Sequence, residues 1–141
     1  MGLFAIVVYG AILGVTVFAW MRGGRAERAG ATFNLAAAIL VQVAHRTAAA
    51  EALPLALLTV DGLLAVGFLV LALRYASLWV GAALVFQAIQ FGLHATYLVR
   101  HIPLNITYAR VNNIDSFAIV LSLAVGVMAA RRGGPGSASH A

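Results

Sequence analysis

The 141-residue sequence contains no cysteine. That absence removes disulfides, thiol redox chemistry, thiolate metal sites and covalently attached c-type haem. Lysine is absent as well, and all nine basic residues are arginine; with abundant alanine and glycine, this fits a GC-rich bacterial genome. Charge of either sign is scarce, since 9% of residues are charged against 63% hydrophobic. A soluble domain could not cover itself with so little polar surface, so the composition is that of a membrane protein. Long apolar runs use up most of these 141 residues, and any chemistry is expected within or beside helices.

The net charge of +5 and the pI near 10.8 would suggest a nucleic-acid partner if the charge were spread over a soluble surface. Instead the arginines stand at the ends of apolar runs, where they act as topology signals. No nucleic-acid partner is expected. The first run, Leu3 to Trp20, has no basic residue before it and Arg22, Arg25 and Arg28 after it. A cleavable signal peptide has the opposite charge order, so this run is expected to be a retained first span.

The second run starts near Thr32 and exits through Ala50; it spans if Arg46 snorkels to the headgroups. Pro54 suits the first turn of a third helix, which ends near Leu73 before Arg74. A fourth helix is expected over 77–99 and a fifth over 113–130. The fold expected is therefore an all-α, polytopic transmembrane helical bundle of five spans, about 3–20, 32–50, 54–73, 77–99 and 113–130. It forms one domain over 1–132. The Gly133-Gly134-Pro135-Gly136-Ser137 stretch then breaks the helix and opens a short disordered tail, 133–141.

Five alternating spans put Arg22, Arg25, Arg28, Arg74, Arg131 and Arg132 on one side and Arg46, Arg100 and Arg110 on the other. The positive-inside rule then sets the N-terminus outside and the C-terminus inside, in a bacterial inner membrane. Trp20, Tyr75 and Trp79 are expected at the inner interface, with Tyr97 and Tyr108 at the outer one.

Ionisable groups inside a bilayer turn towards other helices or water, which makes their depth informative. At 1.5 Å per residue, His45 stands roughly 20 Å above the start of helix 2 and His94 roughly 25 Å above that of helix 4, with Asp61 roughly 10 Å below the start of helix 3. All three fall in the outer half, with Tyr9 and Asp115 beside them. Gln87, Gln90, His94 and Tyr97 share one face of helix 4; Asn34, Ala38, Gln42 and His45 share one face of helix 2. These stripes are expected to meet inside the bundle, bringing His45 near His94, with Asp61 as partner for Arg46 or an imidazole. Each residue also has a purely structural reading. Amides and imidazoles join membrane helices by hydrogen bonds, Arg46 can be an interfacial anchor, and Asp115 with Asn112 or Asn113 can cap helix 5. The Gly10-x-x-x-Gly14 spacing signals close helix packing.

No family motif is complete. Asp61-Gly62-Leu63-Leu64-Ala65 copies the opening of the metal-binding signature of CDP-alcohol phosphotransferases. Val66 stands where that family needs arginine, and no later pair of aspartates follows, so a two-metal carboxylate site is not expected. Asn105-Ile106-Thr107 is a formal glycosylation sequon, without meaning in a bacterial protein. No nucleophile context supports a hydrolase, and the chain is read as non-catalytic.

Three functions compete. The first is a non-catalytic membrane subunit, whose polar cluster and small-residue faces pack against a second copy or a larger complex. The second is a small-ligand, quinone or proton-coupled solute site lined by His45, Arg46, Asp61, Gln87, Gln90, His94 and Tyr97, where histidine titrates near neutrality and arginine supplies fixed charge. The third is electron transfer through b-type haem, with His45 and His94 as axial ligands. The first reading is the expectation, with the second as its alternative.

Overall fold

The computed structural model describes residues 3–103 and 105–132, so the tail expected over 133–141 lies outside the described residues. The described chain is all-helical. Its five helices are α1 (Leu3–Arg22), α2 (Arg25–Thr47), α3 (Leu53–Tyr75), α4 (Leu78–Val99) and α5 (Ile106–Arg132). Each helix packs on the next, α5 closes the ring against α1, and α2 reaches across to α5. α3, α4 and the Ile106–Ala130 part of α5 are 23, 22 and 25 residues long, and apolar enough to cross a membrane. The Ile6–Arg22 part of α1 is apolar but shorter. α2 is more polar, with Arg25, Glu27 and Arg28 in its first turns and His45 and Arg46 in its last.

Two helices start earlier than the apolar runs suggest. α2 begins at Arg25 rather than near Thr32, and ends at Thr47 rather than Ala50. Only Gly23 and Gly24 separate it from α1. A Cβ on Gly23 would lie 2.7 Å from both the Ala19 carbonyl oxygen and Glu27 Cβ, so glycine is what allows the turn to be this tight. Glu27 then reaches back to accept a hydrogen bond from the Gly24 amide at 2.9 Å, satisfying a free donor of the helix start. Because these opening residues are charged, a search for apolar runs passes over them.

α5 begins at Ile106, seven residues before the expected 113. Asn105 caps it, accepting from the Tyr108 amide at 3.0 Å. Asp115 therefore lies in the third turn, and neither it nor Asn112 or Asn113 is a cap. The polar residues of 108–116 that resemble a loop form the inward face of a helix instead.

The bundle has two unlike ends. At the tight-turn end, where α1 meets α2 and α3 meets α4, Trp79 is buried, 7% exposed. Its indole Nε1 donates to Glu27 Oε1 at 2.9 Å. The ring lies between two glycines: a Cβ on Gly126 would stand 2.6 Å from Trp79 Cγ, and one on Gly30 2.9 Å from Trp79 Cη2. Around it pack Ala19, Ala31, Phe68, Val80, Leu123 and Val127. The other end carries the longer α2–α3 and α4–α5 loops and most of the buried polar groups.

The outer surface is apolar. Leu63, Leu73, Leu78, Ile106 and Ile114 are exposed, whereas Asn34, Asp61, Gln87, Gln90, His94 and Asp115 are buried. This inside-out arrangement matches helices whose surroundings are hydrocarbon and whose polar groups must find partners among themselves.

Candidate functional site

Asp61 sits two turns into α3 and is 2% exposed. A carboxylate removed from water this far needs a compensating charge or several donors. It has both. His94 on α4 turns Nδ1 onto Asp61 Oδ2 as an ion pair. Gln87, two turns earlier on the same face of α4, donates Nε2 to the Asp61 carbonyl oxygen at 3.2 Å and to Oδ1 at 3.3 Å. The spacing of seven residues between Gln87 and His94 puts both on one stripe, so a single helix face grips Asp61 from two sides.

The pair borders a cavity of about 220 Å³ in the middle of the bundle. Every helix contributes to its wall. α1 supplies Tyr9, α2 supplies Asn34 and His45, and α3 supplies Asp61. Gln87, Gln90 and His94 come from α4, and Tyr108, Asn112, Asn113 and Ser116 from α5. Gln90 Nε2 donates to Asn112 Oδ1 at 3.0 Å, and the Tyr9 hydroxyl donates to Gln42 Oε1 at 3.1 Å.

His94 is also one wall of a second pocket. Its ring stacks on Tyr108, with centroids 5.2 Å apart and planes inclined by 29°; Tyr97 leans on Tyr108 in turn, at 5.0 Å. The Tyr97 hydroxyl donates to the Asn105 cap at 3.1 Å. Beyond the His94–Tyr108 stack lies a vestibule of about 330 Å³ at the loop end, lined also by Glu51, Tyr97 and His101. His94 and Tyr108 thus line both cavities.

Several buried polar atoms have no hydrogen-bond partner: His94 Nε2, Gln87 Oε1 and Asp115 Oδ2 at this end, and the Ser77 hydroxyl at the other. Asp61 Oδ2 and His94 Nδ1 face one another alone. Unpartnered buried polar atoms are costly, and two of these residues, Gln87 and His94, line the cavity.

The sequence-predicted residues divide. Asp61, Gln87, Gln90 and His94 converge on the cavity, and Tyr97 reaches the vestibule. His45 is exposed but lines the cavity, and the partner of Asp61 is His94 rather than Arg46. Arg46 is exposed and lines a separate cleft of about 300 Å³ between α1 and α2, with Tyr9, Leu35 and Gln42. Tyr108 is buried, 8% exposed, and lines both cavities. Reading 106–112 as a loop hid Tyr108 and Asn112; the signal was Asn105 three residues before Tyr108, a helix-start pattern. Glu27 and Trp79 were hidden because the pair forms only when α2 and α4 meet.

A haem does not fit. The cavity is smaller than the roughly 300–1,000 Å³ that drug-sized ligands use, and a porphyrin needs more. Among the described residues, no group of three or more His, Asp and Glu side chains could hold a metal ion. No family model, curated protein or solved structure matches this chain.

Proposed function

We propose that the chain is an integral membrane protein of the bacterial inner membrane, with five spans, N-terminus out and C-terminus in. In this reading the bundle interior binds a small polar solute, and the Asp61–His94 pair carries the proton that couples to its binding. The observation that carries the proposal is a buried carboxylate–imidazole pair on the wall of a cavity that every helix helps to line. In a bilayer, such a pair is expensive unless it serves a pathway or is compensated. The unpartnered acceptors beside it favour the pathway.

Helices α3, α4 and α5 support membrane residence by length and composition. α1 and α2 join the count because they complete the ring around the cavity, and the arginines of the tight-turn end support the orientation. Titratable groups face the cavity from each helix: Tyr9, His45, Asp61, His94 and Tyr108. The cavity admits a solute of a few heavy atoms.

The direct test is flux. Purified protein in sealed liposomes is given guanidinium, urea or nitrate, three planar solutes of similar size and different charge. The expected result is that at least one crosses faster than through protein-free liposomes, and that Asp61→Asn at equal incorporation abolishes the difference. If no solute moves faster, or the variant behaves as wild type, the reading fails.

A second reading, an assembly subunit, draws on a different face. A Cβ at Gly10 or Gly14 meets nothing within 4 Å, so this Gly-x-x-x-Gly face of α1 points away from the bundle and suits a second membrane helix. Replacing both glycines with leucine while copy number is counted in detergent distinguishes it. Loss of an oligomer supports the assembly reading, and a monomer before and after removes it.

A further inference from the structure

We propose that the ligand of the interior site is a small cation bearing hydrogen-bond donors, of the guanidinium or alkylammonium class, and that it exchanges for the proton of His94. This rests on the interior-site reading, and narrows it.

The donors and acceptors of the cavity are unevenly committed. Asp61 offers its carbonyl oxygen and Oδ1 to Gln87, both of which are acceptors, so the Gln87 amide must turn its NH₂ towards them. Its carbonyl oxygen is thereby directed elsewhere, and it is left buried and unpartnered on a side chain that is 0% exposed. Gln90 commits one N–H of its NH₂ to Asn112. What remains nearest the pair is acceptor-rich: Gln87 Oε1, the Asp61 carboxylate and, when it is unprotonated, His94 Nε2. A ligand that satisfies these groups must donate.

Charge narrows the class. Among the described residues that line the cavity there is no arginine, because Arg46 faces the α1–α2 cleft instead. An anion would meet the Asp61 carboxylate with no fixed positive charge to offset it. A cation meets a carboxylate already held in place.

The exchange follows from compensation. A buried carboxylate needs one positive charge beside it, and His94, with Nδ1 facing Asp61 Oδ2, is the group placed to supply it as an imidazolium. When a cation arrives next to Asp61 with His94 protonated, it takes over that role, and the proton on Nε2 leaves to water in the vestibule, which His94 also lines with Glu51 and His101. Nδ1–H stays on Asp61 Oδ2, and Nε2 becomes an acceptor for the cation. One cation enters, one proton leaves, and the charge of the site is unchanged.

The full chain in detergent, in weak buffer with an indicator dye, is titrated with millimolar guanidinium chloride, with urea or potassium chloride as controls; binding is followed by equilibrium dialysis. Guanidinium should bind with release of up to one proton per chain, and neither control should release any. Asp61→Asn should abolish both signals, and Gln87→Met should raise the half-saturating concentration about tenfold, as loss of a charge-assisted hydrogen bond does. If Asp61→Asn does not fold, the Gln87→Met result decides. Equal proton release with potassium overturns the donor requirement, and binding of urea in place of guanidinium overturns the charge. Urea or nitrate flux that depends on Asp61, without guanidinium binding, leaves the interior site standing and removes the cation; no binding and no flux removes both.

Discussion

Each end of the bundle buries a carboxylate against side chains of a neighbouring helix, Glu27 at one and Asp61 at the other, and the two are treated differently. At the tight-turn end, Glu27 has both oxygens bonded, one to the Gly24 amide and one to Trp79 Nε1, and the indole is packed between two glycines. At the loop end, Asp61 has His94 and Gln87, yet both partners keep an unsatisfied atom and a cavity lies beside them. Both carboxylates are buried to a similar degree. Burial of charge therefore does not identify a site in this molecule. Incomplete satisfaction of its partners beside a cavity is what sets Asp61 apart from Glu27.

The ends should fail in different ways. The largest effect is expected from His94→Ala, which leaves Asp61 buried without its compensating charge and should cost about 3–5 kcal/mol. Denaturant titration in detergent measures it, and a loss under 1 kcal/mol would mean that the pair is not the main compensation. Next comes Gly126→Ala, whose Cβ would overlap the Trp79 ring. Overpacking of this kind costs about 1–3 kcal/mol, read as a lower midpoint with interior solute binding unchanged. Trp79→Phe keeps a ring but strands Glu27 Oε1, at about 1–3 kcal/mol; the added variant Glu27→Gln should recover part of it, because a neutral amide is cheaper to bury. The smallest effect belongs to Arg46→Gln, within about 0.5 kcal/mol as for exposed positions, and without effect on solute flux. A strong flux defect there would move the site into the α1–α2 cleft.

How legible this was depended on whether the signal was periodic or positional. The apolar runs marked α1, α3 and α4 to within about two residues of their ends, because lipid-facing residues must be apolar wherever the helix lies. They missed the start of α2 and the first two turns of α5, where helix is stabilised by caps and by an inward polar face. That error carried into the site. With α5 opening at 113, Tyr108 and Asn112 stood in a loop and Asp115 stood at a cap, while in the structure Tyr108 and Asn112 line the cavity. The convergence of Asp61, Gln87, Gln90 and His94 was readable from depth and helix face alone. Which of Arg46, His45 and His94 would pair with Asp61 was not, since that choice depends on the rotation of α2 and α4 about their axes, which is set by packing around Trp79 and Phe68 at the far end.

The central claim, that the Asp61–His94 pair is a ligand site rather than a joint between helices, is tested most directly by removing its charge without removing its shape. In the double variant Asp61→Asn/His94→Gln, neither side chain needs compensation, so the bundle should fold with a midpoint close to wild type. Solute flux in sealed liposomes is then the deciding measurement. The account predicts a folded protein with no flux above that of protein-free liposomes. A folded double variant that carries solute as fast as wild type would contradict it.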